Sequence, residues 1–321
     1  ASLILTAAFV VAEAVAGLRA GSMALLSDAG HNFTDAFGLL LAAVAFVLES
    51  RPANHVKTYG YHRTGVLAAF INALLLVALS LALFYESYRR VLHPQPVAEN
   101  IMIWVAAAGL ILNLAIAWGL SRNTSGTTEP VAAGSPQVSG LDKGRSAPVP
   151  RVGNGRGHGG DINVRAVWIH MLGDAASCVA IIVGAVVIHY TGWLAVDPLL
   201  SMLIGAAIIW TAWDIFRDSL NILLEGLPKG LKLSEVAREL RTLDGVIDVH
   251  DLHIWSLGSE AHALSCHVLI EDMPPSASDS ILRCVNRVLA DRFEIRHTTV
   301  QFEHARCALA EEPCTAVKHQ H

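Results

Sequence analysis

Charge is what this chain of 321 residues has least of. Asp, Glu, Lys and Arg supply 16% of it against 53% apolar types, with a mean hydropathy of +0.46. That balance excludes an ordinary soluble domain of this length and points to a membrane protein. No C-x-x-C occurs among the five cysteines, 178, 266, 284, 307 and 314, which removes the strongest thiol metal signatures. Those thiols fall in a helix or in parts expected in the cytoplasm, where disulfides do not persist, and Cys178 reads as small core packing. H-E-x-x-H is missing too, and with it the plainest mark of a membrane metallohydrolase. The net charge of −5 comes mainly from the polar C-terminal part, and no basic stripe is available for nucleic acid. Repeats of solenoid period are absent.

What is present is six long apolar segments, roughly 1–18, 23–48, 64–91, 98–120, 163–190 and 197–223. Each is about as long as the ~20 residues a helix needs to cross hydrocarbon. Six transmembrane helices are therefore expected. With the N-terminus inside, the cytoplasmic connections hold Arg51, Lys57, Arg63, Arg122, Lys143, Arg145, Arg151, Arg156 and Arg165. The outer ones hold only Arg19, Arg89 and Arg90, so both termini are predicted cytoplasmic. The first residue is Ala, already inside the first segment, and the natural N-terminus is expected to have been trimmed or left out.

Residues 121–161 are rich in Gly, Ser and Pro and read as a flexible linker between a four-helix and a two-helix group, giving a membrane domain over 1–224. After it, residues 225–305 show an α-β-β-α-β pattern: SEVARELRTL, VIDVHDLHIWSL, HALSCHVLIE, SDSILRCVNRVLADRF and HTTVQFE. The expected fold class is thus an α-helical membrane protein with a small two-layer cytoplasmic α+β domain. Residues 306–321 look like a tail.

Two pairs of polar residues stand where apolar ones are expected. His31 and Asp35 lie in the second segment, His170 and Asp174 in the fifth, each pair four residues apart. Four residues are about 6 Å of rise and a little over one turn, so each pair shares a helix face. Two such faces opposed would offer two imidazole nitrogens and two carboxylate oxygens, a tetrahedral set. An Asp near the bilayer centre costs roughly 2.5–3.5 kcal/mol on insertion scales, and a dication or protons would offset that cost. Metal outward coupled to protons inward follows, with imidazole a participant. The alternative is interhelical hydrogen bonding, which needs neither the repeat nor the two charges. Asp28 either lines the external mouth of a path or marks the start of its helix. Glu13, Asn72 and Asn113 read as packing polar groups, and Asp197 before Pro198 as an N-cap of its own helix.

These stretches carry a family resemblance. GSMALLSDAGHNFTDAFGLLLA, TYGYHR, HMLGDAASCVAIIVGAVVI, DPLLSMLIGAAIIWTAWDIFRDSLNILLEGLP and VHDLHIWSL, spread over residues 1–303, resemble the zinc-exporting members of the cation diffusion facilitator family. The resemblance implies a homodimer of six-helix protomers moving Zn²⁺ outward against protons, with a ferredoxin-like cytoplasmic domain that dimerises and senses metal. It makes His31, Asp35, His170 and Asp174 the transport ligands. Histidine at the first of these positions is associated in the family with zinc and with discrimination against cadmium, although N/O donors also accept cobalt or nickel. It makes His250, His267 and Glu303 a cytoplasmic zinc site, in a region holding six of the 15 histidines. The bland alternative is that surface strands tolerate histidine. His297, Cys307 and Cys314 resemble a second site with loose spacing. His62, and more weakly His55, match a position at the membrane-cytoplasm junction where some relatives bind metal. The linker holds only His158, where many relatives are histidine-rich.

The reading is a Zn²⁺/H⁺ antiporter in the cell (inner) membrane or a vesicle membrane, not an enzyme, with zinc both transported and regulatory. Its rivals are a membrane-anchored metal sensor that does not transport, and a carrier mainly of Co²⁺ or Ni²⁺.

Overall fold

The computed structural model describes residues 2–124, 159–258 and 261–305, without the side chains of 2–6, 120–124, 159–167, 169 and 170. Most of the expected linker and the whole of the tail 306–321 lie outside the described residues. Six long helices come first: α1 (Ser2–Ala20), α2 (Met23–Glu49), α3 (Thr64–Leu92), α4 (Glu99–Thr124), α5 (Gly159–Thr191) and α6 (Val196–Leu223). Five of them, α2 to α6, are long and apolar enough to cross a bilayer, and α1 adds a further 19 residues. A small domain follows: α7 (Leu233–Leu240), β1 (Val246–Ser256), β2 (His262–Ile270), α8 (Pro275–Phe293) and β3 (Ile295–Glu303). The chain divides into two compact units, residues 1–32 with 81–206, and residues 33–80 with 207–321.

In the first unit α4 packs along α5, and α1 lies against α4. Their contact is built from small and branched residues, with Ala20, Ala24, Leu25, Met102, Ala106, Ile181, Ala185 and Ile188 buried together. Small side chains let helices approach closely where no water drives them together. At Gly184 a Cβ would sit 2.1 Å from Leu200 Cδ1, so α5 and α6 touch there only because the side chain is hydrogen. The α1–α2 turn runs through Gly21 at φ +64°.

The N-terminus of α2 is closed in an unexpected way. Ser22 Oγ accepts from Leu25 N at 3.2 Å, an ordinary N-cap contact. Asp197 then takes the remaining donors: Ser22 Oγ at 2.5 Å, Met23 N at 2.6 Å and Ala24 N at 3.2 Å. The sequence reading of Asp197 as the cap of its own helix is corrected here. Its carboxylate is spent on α2, whose positive end and free N–H groups attract an anion. Arg90 Nη1 donates to Gly21 O at 2.5 Å beside it.

In the second unit the small domain is two-layered. Strand order is β1-β2-β3, with β1 antiparallel and β3 parallel to the central β2. Successive residues of a strand face opposite sides. Leu264, Cys266, Val268 and Ile270 of β2 point into a core with Val236 and Leu240 of α7 and Ile281, Val285 and Leu289 of α8. The α8 residues recur every four positions, one helix stripe. Burial pushes the Cys266 thiol up to about 11, whereas Cys284 is exposed. A thiol at that value is thiolate to about one part in a thousand at pH 8. Alkylation of the native protein at pH 8, mapped by mass spectrometry, is expected to label Cys284 at least about a hundredfold faster than Cys266.

Candidate metal centres

Of the four membrane residues, one from α2 and one from α5 are seen to approach each other. In the first unit His31 Nε2 lies 3.5 Å from Asp174 Oδ1, with side chains 19% and 7% exposed. The helices face each other at this depth because Ser177, one turn after Asp174, donates from Oγ to Asp28 Oδ1 at 2.5 Å. The same hydroxyl lies 2.8 Å from the Asp174 carbonyl oxygen. Asp35 sits one turn beyond His31 on α2 and is half-buried. His170 lies on α5, one turn before Asp174, and its side chain is outside the described residues. An imidazole nitrogen and a carboxylate oxygen from different helices, both shielded from water, form the kind of donor pair a divalent cation takes.

Asp28 lies within α2, five residues after its start at Met23, and is 2% exposed; Glu13 on α1 has no exposure and accepts from Asn32 Nδ2 at 3.1 Å, in keeping with a packing role. Asn113 Nδ2 approaches Cys178 Sγ at 4.0 Å, consistent with packing. In the second unit Asn72 lies against Gly38, where an added Cβ would come within 2.9 Å of its amide.

The cytoplasmic constellation is built by strand register. His250 on β1 is paired directly with His267 on β2, while Glu303 on β3 is paired with Leu269, two residues along. Cross-strand partners and i+2 positions share a sheet face, so all three side chains stand on the face away from the helices. His250 Nε2 lies 3.1 Å from Glu303 Oε2, and His267 Nδ1 lies 2.9 Å from Glu303 Oε1. The imidazoles meet edge to face at 5.5 Å between centroids. One donor atom from each of the three lies within 4.8 Å of the others. His250 Nε2 and Glu303 Oε2 are buried and neither makes a hydrogen bond, an arrangement that a cation between them would satisfy. The residues therefore fit a divalent metal.

Sequence alternation hid a fourth group. Asp251 follows His250, so a regular strand would turn it to the opposite face. A bulge between His250 and His253, with Asp251 at φ +49°, turns it back, and its Oδ2 lies 3.7 Å from His267 Nε2. Its Oδ1 lies 3.0 Å from His253 Nε2. An Asp followed by alternating strand residues carries no signal that separates this bulge from a regular strand.

The remaining residues are not brought to either cluster. His62 is exposed on the wall of a cavity of about 360 Å³ that also includes Lys57, Tyr59, Arg63, Glu225 and Trp255. Arg63 Nη2 is fixed there by Glu225 Oε1 at 3.2 Å and by the Ser256 carbonyl oxygen at 3.3 Å. His55 is exposed. His297 packs edge-on against Tyr59 at 5.1 Å. Cys307, Cys314 and His158 lie outside the described residues.

Comparison with known proteins covers both parts of the chain. Residues 1–224 match the family described as "Cation efflux transmembrane domain", and residues 228–305 that described as "Cation efflux protein, cytoplasmic domain". The chain is 33% identical over 303 residues to a Bacillus subtilis protein named "Cadmium, cobalt and zinc/H(+)-K(+) antiporter", covering 94% of this chain and 87% of that one. It is 35% identical over 308 residues to the zinc transporter ZitB of Pectobacterium atrosepticum, covering 96% and 85%. Among solved structures it is similar to the metal-bound C-terminal domain of the CzcD transporter of Cupriavidus metallidurans. That similarity has 38% identity over 23% of this chain and 99% of the other, with a TM-score of 0.21.

Proposed function

The chain belongs to the cation efflux (cation diffusion facilitator) family, and on that premise we propose that it is a Zn²⁺/H⁺ antiporter whose membrane site is His31, Asp35, His170 and Asp174. As a member it is a multi-pass integral membrane protein with a cytoplasmic C-terminal domain, a transporter of divalent cations and not an enzyme. The observation that carries the finer reading is the approach of His31 Nε2 to Asp174 Oδ1 at 3.5 Å, across two helices that the sequence marks with the same spacing. Zinc as cargo would cancel both aspartate charges and take neutral imidazoles as donors. In this reading zinc and protons take turns balancing the two aspartate charges, so the carrier returns with protons in place of zinc. Alternating access about a midplane site then exchanges the two.

The test is zinc uptake into proteoliposomes under an imposed pH gradient. Uptake that collapses when an ionophore dissipates the gradient supports antiport, whereas a membrane-anchored sensor shows no flux. Two imidazole and two carboxylate donors suit borderline zinc better than soft cadmium, which prefers thiolate. Cadmium at tenfold excess is accordingly expected to leave more than half of the zinc uptake in place, with cobalt and nickel the better competitors.

In the cytoplasmic domain we assign His250, His267 and Glu303 to a regulatory zinc, with Asp251 beside them. When bound, the metal supplies charge that holds β1, β2 and β3 together on one face. The homodimer belongs to the same reading, because the cytoplasmic half of the family is where protomers would associate.

A further inference from the structure

The cavity of about 360 Å³ beside His62 lies wholly within the second unit. Leu67, in the first turn of α3, and Leu223, the last residue of α6, are both on its wall. Each of those helices is long and apolar enough to cross a bilayer, so the cavity sits where two spans end. Trp255 of β1, in the cytoplasmic domain, lines it as well, which puts that end on the cytoplasmic side. This is the level of lipid headgroups, where tryptophan is enriched.

The charged groups on the wall are Lys57, Arg63 and Glu225, two positive and one negative. Arg63 spends Nη2 on Glu225 Oε1 at 3.2 Å and on the Ser256 carbonyl oxygen at 3.3 Å. Among the described residues, its Nε and Nη1 and the Nζ of Lys57 make no hydrogen bond or ion pair. A guanidinium carries five N–H donors and an ammonium three, so most of the donor capacity here is unspent on protein. The excess positive charge repels a dication and draws an anion, which sets this cavity apart from the two zinc sites. The rest of the wall is carbon: Leu67 is 45% exposed, and the Leu223 side chain and Trp255 indole are half-buried.

We propose that this cavity binds the phosphate headgroup of an anionic membrane lipid. Lys57 and the spare donors of Arg63 hold the phosphate oxygens, and the glycerol and first methylenes lie against Leu67 and Leu223. A free phosphate would use the cationic part of the wall and gain nothing from the apolar part, whereas a lipid uses both. The volume, near the lower end of ligand pockets at about 300–1,000 Å³, admits a headgroup and leaves the acyl chains outside in the bilayer. Because α3, α6 and β1 all contribute to the wall, a lipid seated there ties the cytoplasmic domain to two membrane helices. The proposal holds whichever cation is carried.

The test counts bound lipid. The full chain in neutral detergent is titrated with phosphatidylglycerol or with phosphatidylcholine, and retained lipids are counted by native mass spectrometry. One phosphatidylglycerol per protomer is expected to bind at least about tenfold more tightly than phosphatidylcholine. Lys57→Gln is expected to weaken it about fivefold, and Lys57→Arg to restore it. Lys57 is exposed, so neither change disturbs packing. Arg51, a cation of the same connection that is not on the wall, is the control, and Arg51→Gln is expected to leave affinity within about twofold. Equal affinity for the two lipids overturns the proposal. Equal losses in Lys57→Gln and Arg51→Gln also overturn it, since they mark diffuse attraction to a basic surface. Soluble glycerophosphate that binds as tightly as the lipid overturns it in favour of a free phosphate ester.

Discussion

Alanine at His31 is expected to lower the initial rate of zinc uptake at least about a hundredfold, to the level of protein-free vesicles, with Asp174→Asn equally inactive. Each change would remove one of the four proposed donors, at a depth where water replaces a lost ligand poorly, and even outer-shell changes at metal sites cost 10–100-fold. The two differ in a second measurement. His31→Ala leaves both aspartates, so an apo carrier must still bind protons to return. Asp174→Asn removes one charge and the need for its counter-ion. Zinc-independent proton exchange in the same vesicles is therefore expected to fall in Asp174→Asn and to persist in His31→Ala. The contact at 3.5 Å between Nε2 and Oδ1 is what both changes break. Uptake within threefold of the parent in either variant would end the assignment.

The second large effect is expected in the cytoplasmic domain. His267→Ala takes away the central donor, which lies 2.9 Å from Glu303 and is paired in register with His250. In a His31→Ala background, which silences the membrane site, equilibrium dialysis of the full chain is expected to show about one zinc fewer per protomer, with affinity reduced about a hundredfold or more. Asp251→Asn should cost less, near tenfold, because its carboxylate is farther off at 3.7 Å from His267. It also tests the bulge. Asparagine tolerates φ +49° as aspartate does, so a loss of binding there reports the missing charge and not backbone strain. Equal zinc content in parent and His267→Ala would remove the regulatory site.

Much of this was open to inspection before any coordinates. The α-β-β-α-β order was legible because α8 repeats its apolar residues every four positions and β2 alternates them every two. The ends of α2, expected near 23 and 48 and found at Met23 and Glu49, follow from Gly21 before it and Pro52 after it. Asp197 was misjudged for a definite reason: an acid followed by proline looks the same whether it caps its own helix or one 175 residues away in the chain from Ser22.

By itself the sequence determined that this is a membrane-spanning chain with a small α+β domain, since the cost of polar groups in hydrocarbon and the periods of helix and strand are local properties. It also determined which helix faces carry histidine and aspartate. Only the tertiary structure decided who their neighbours are: Asp28 meeting Ser177, Asp251 turned by a bulge toward His267, Asp197 closing α2. Those are contacts between residues far apart in the chain or against the regular alternation. The field at a buried charge is set by what packs around it, and spacing along one element does not contain that.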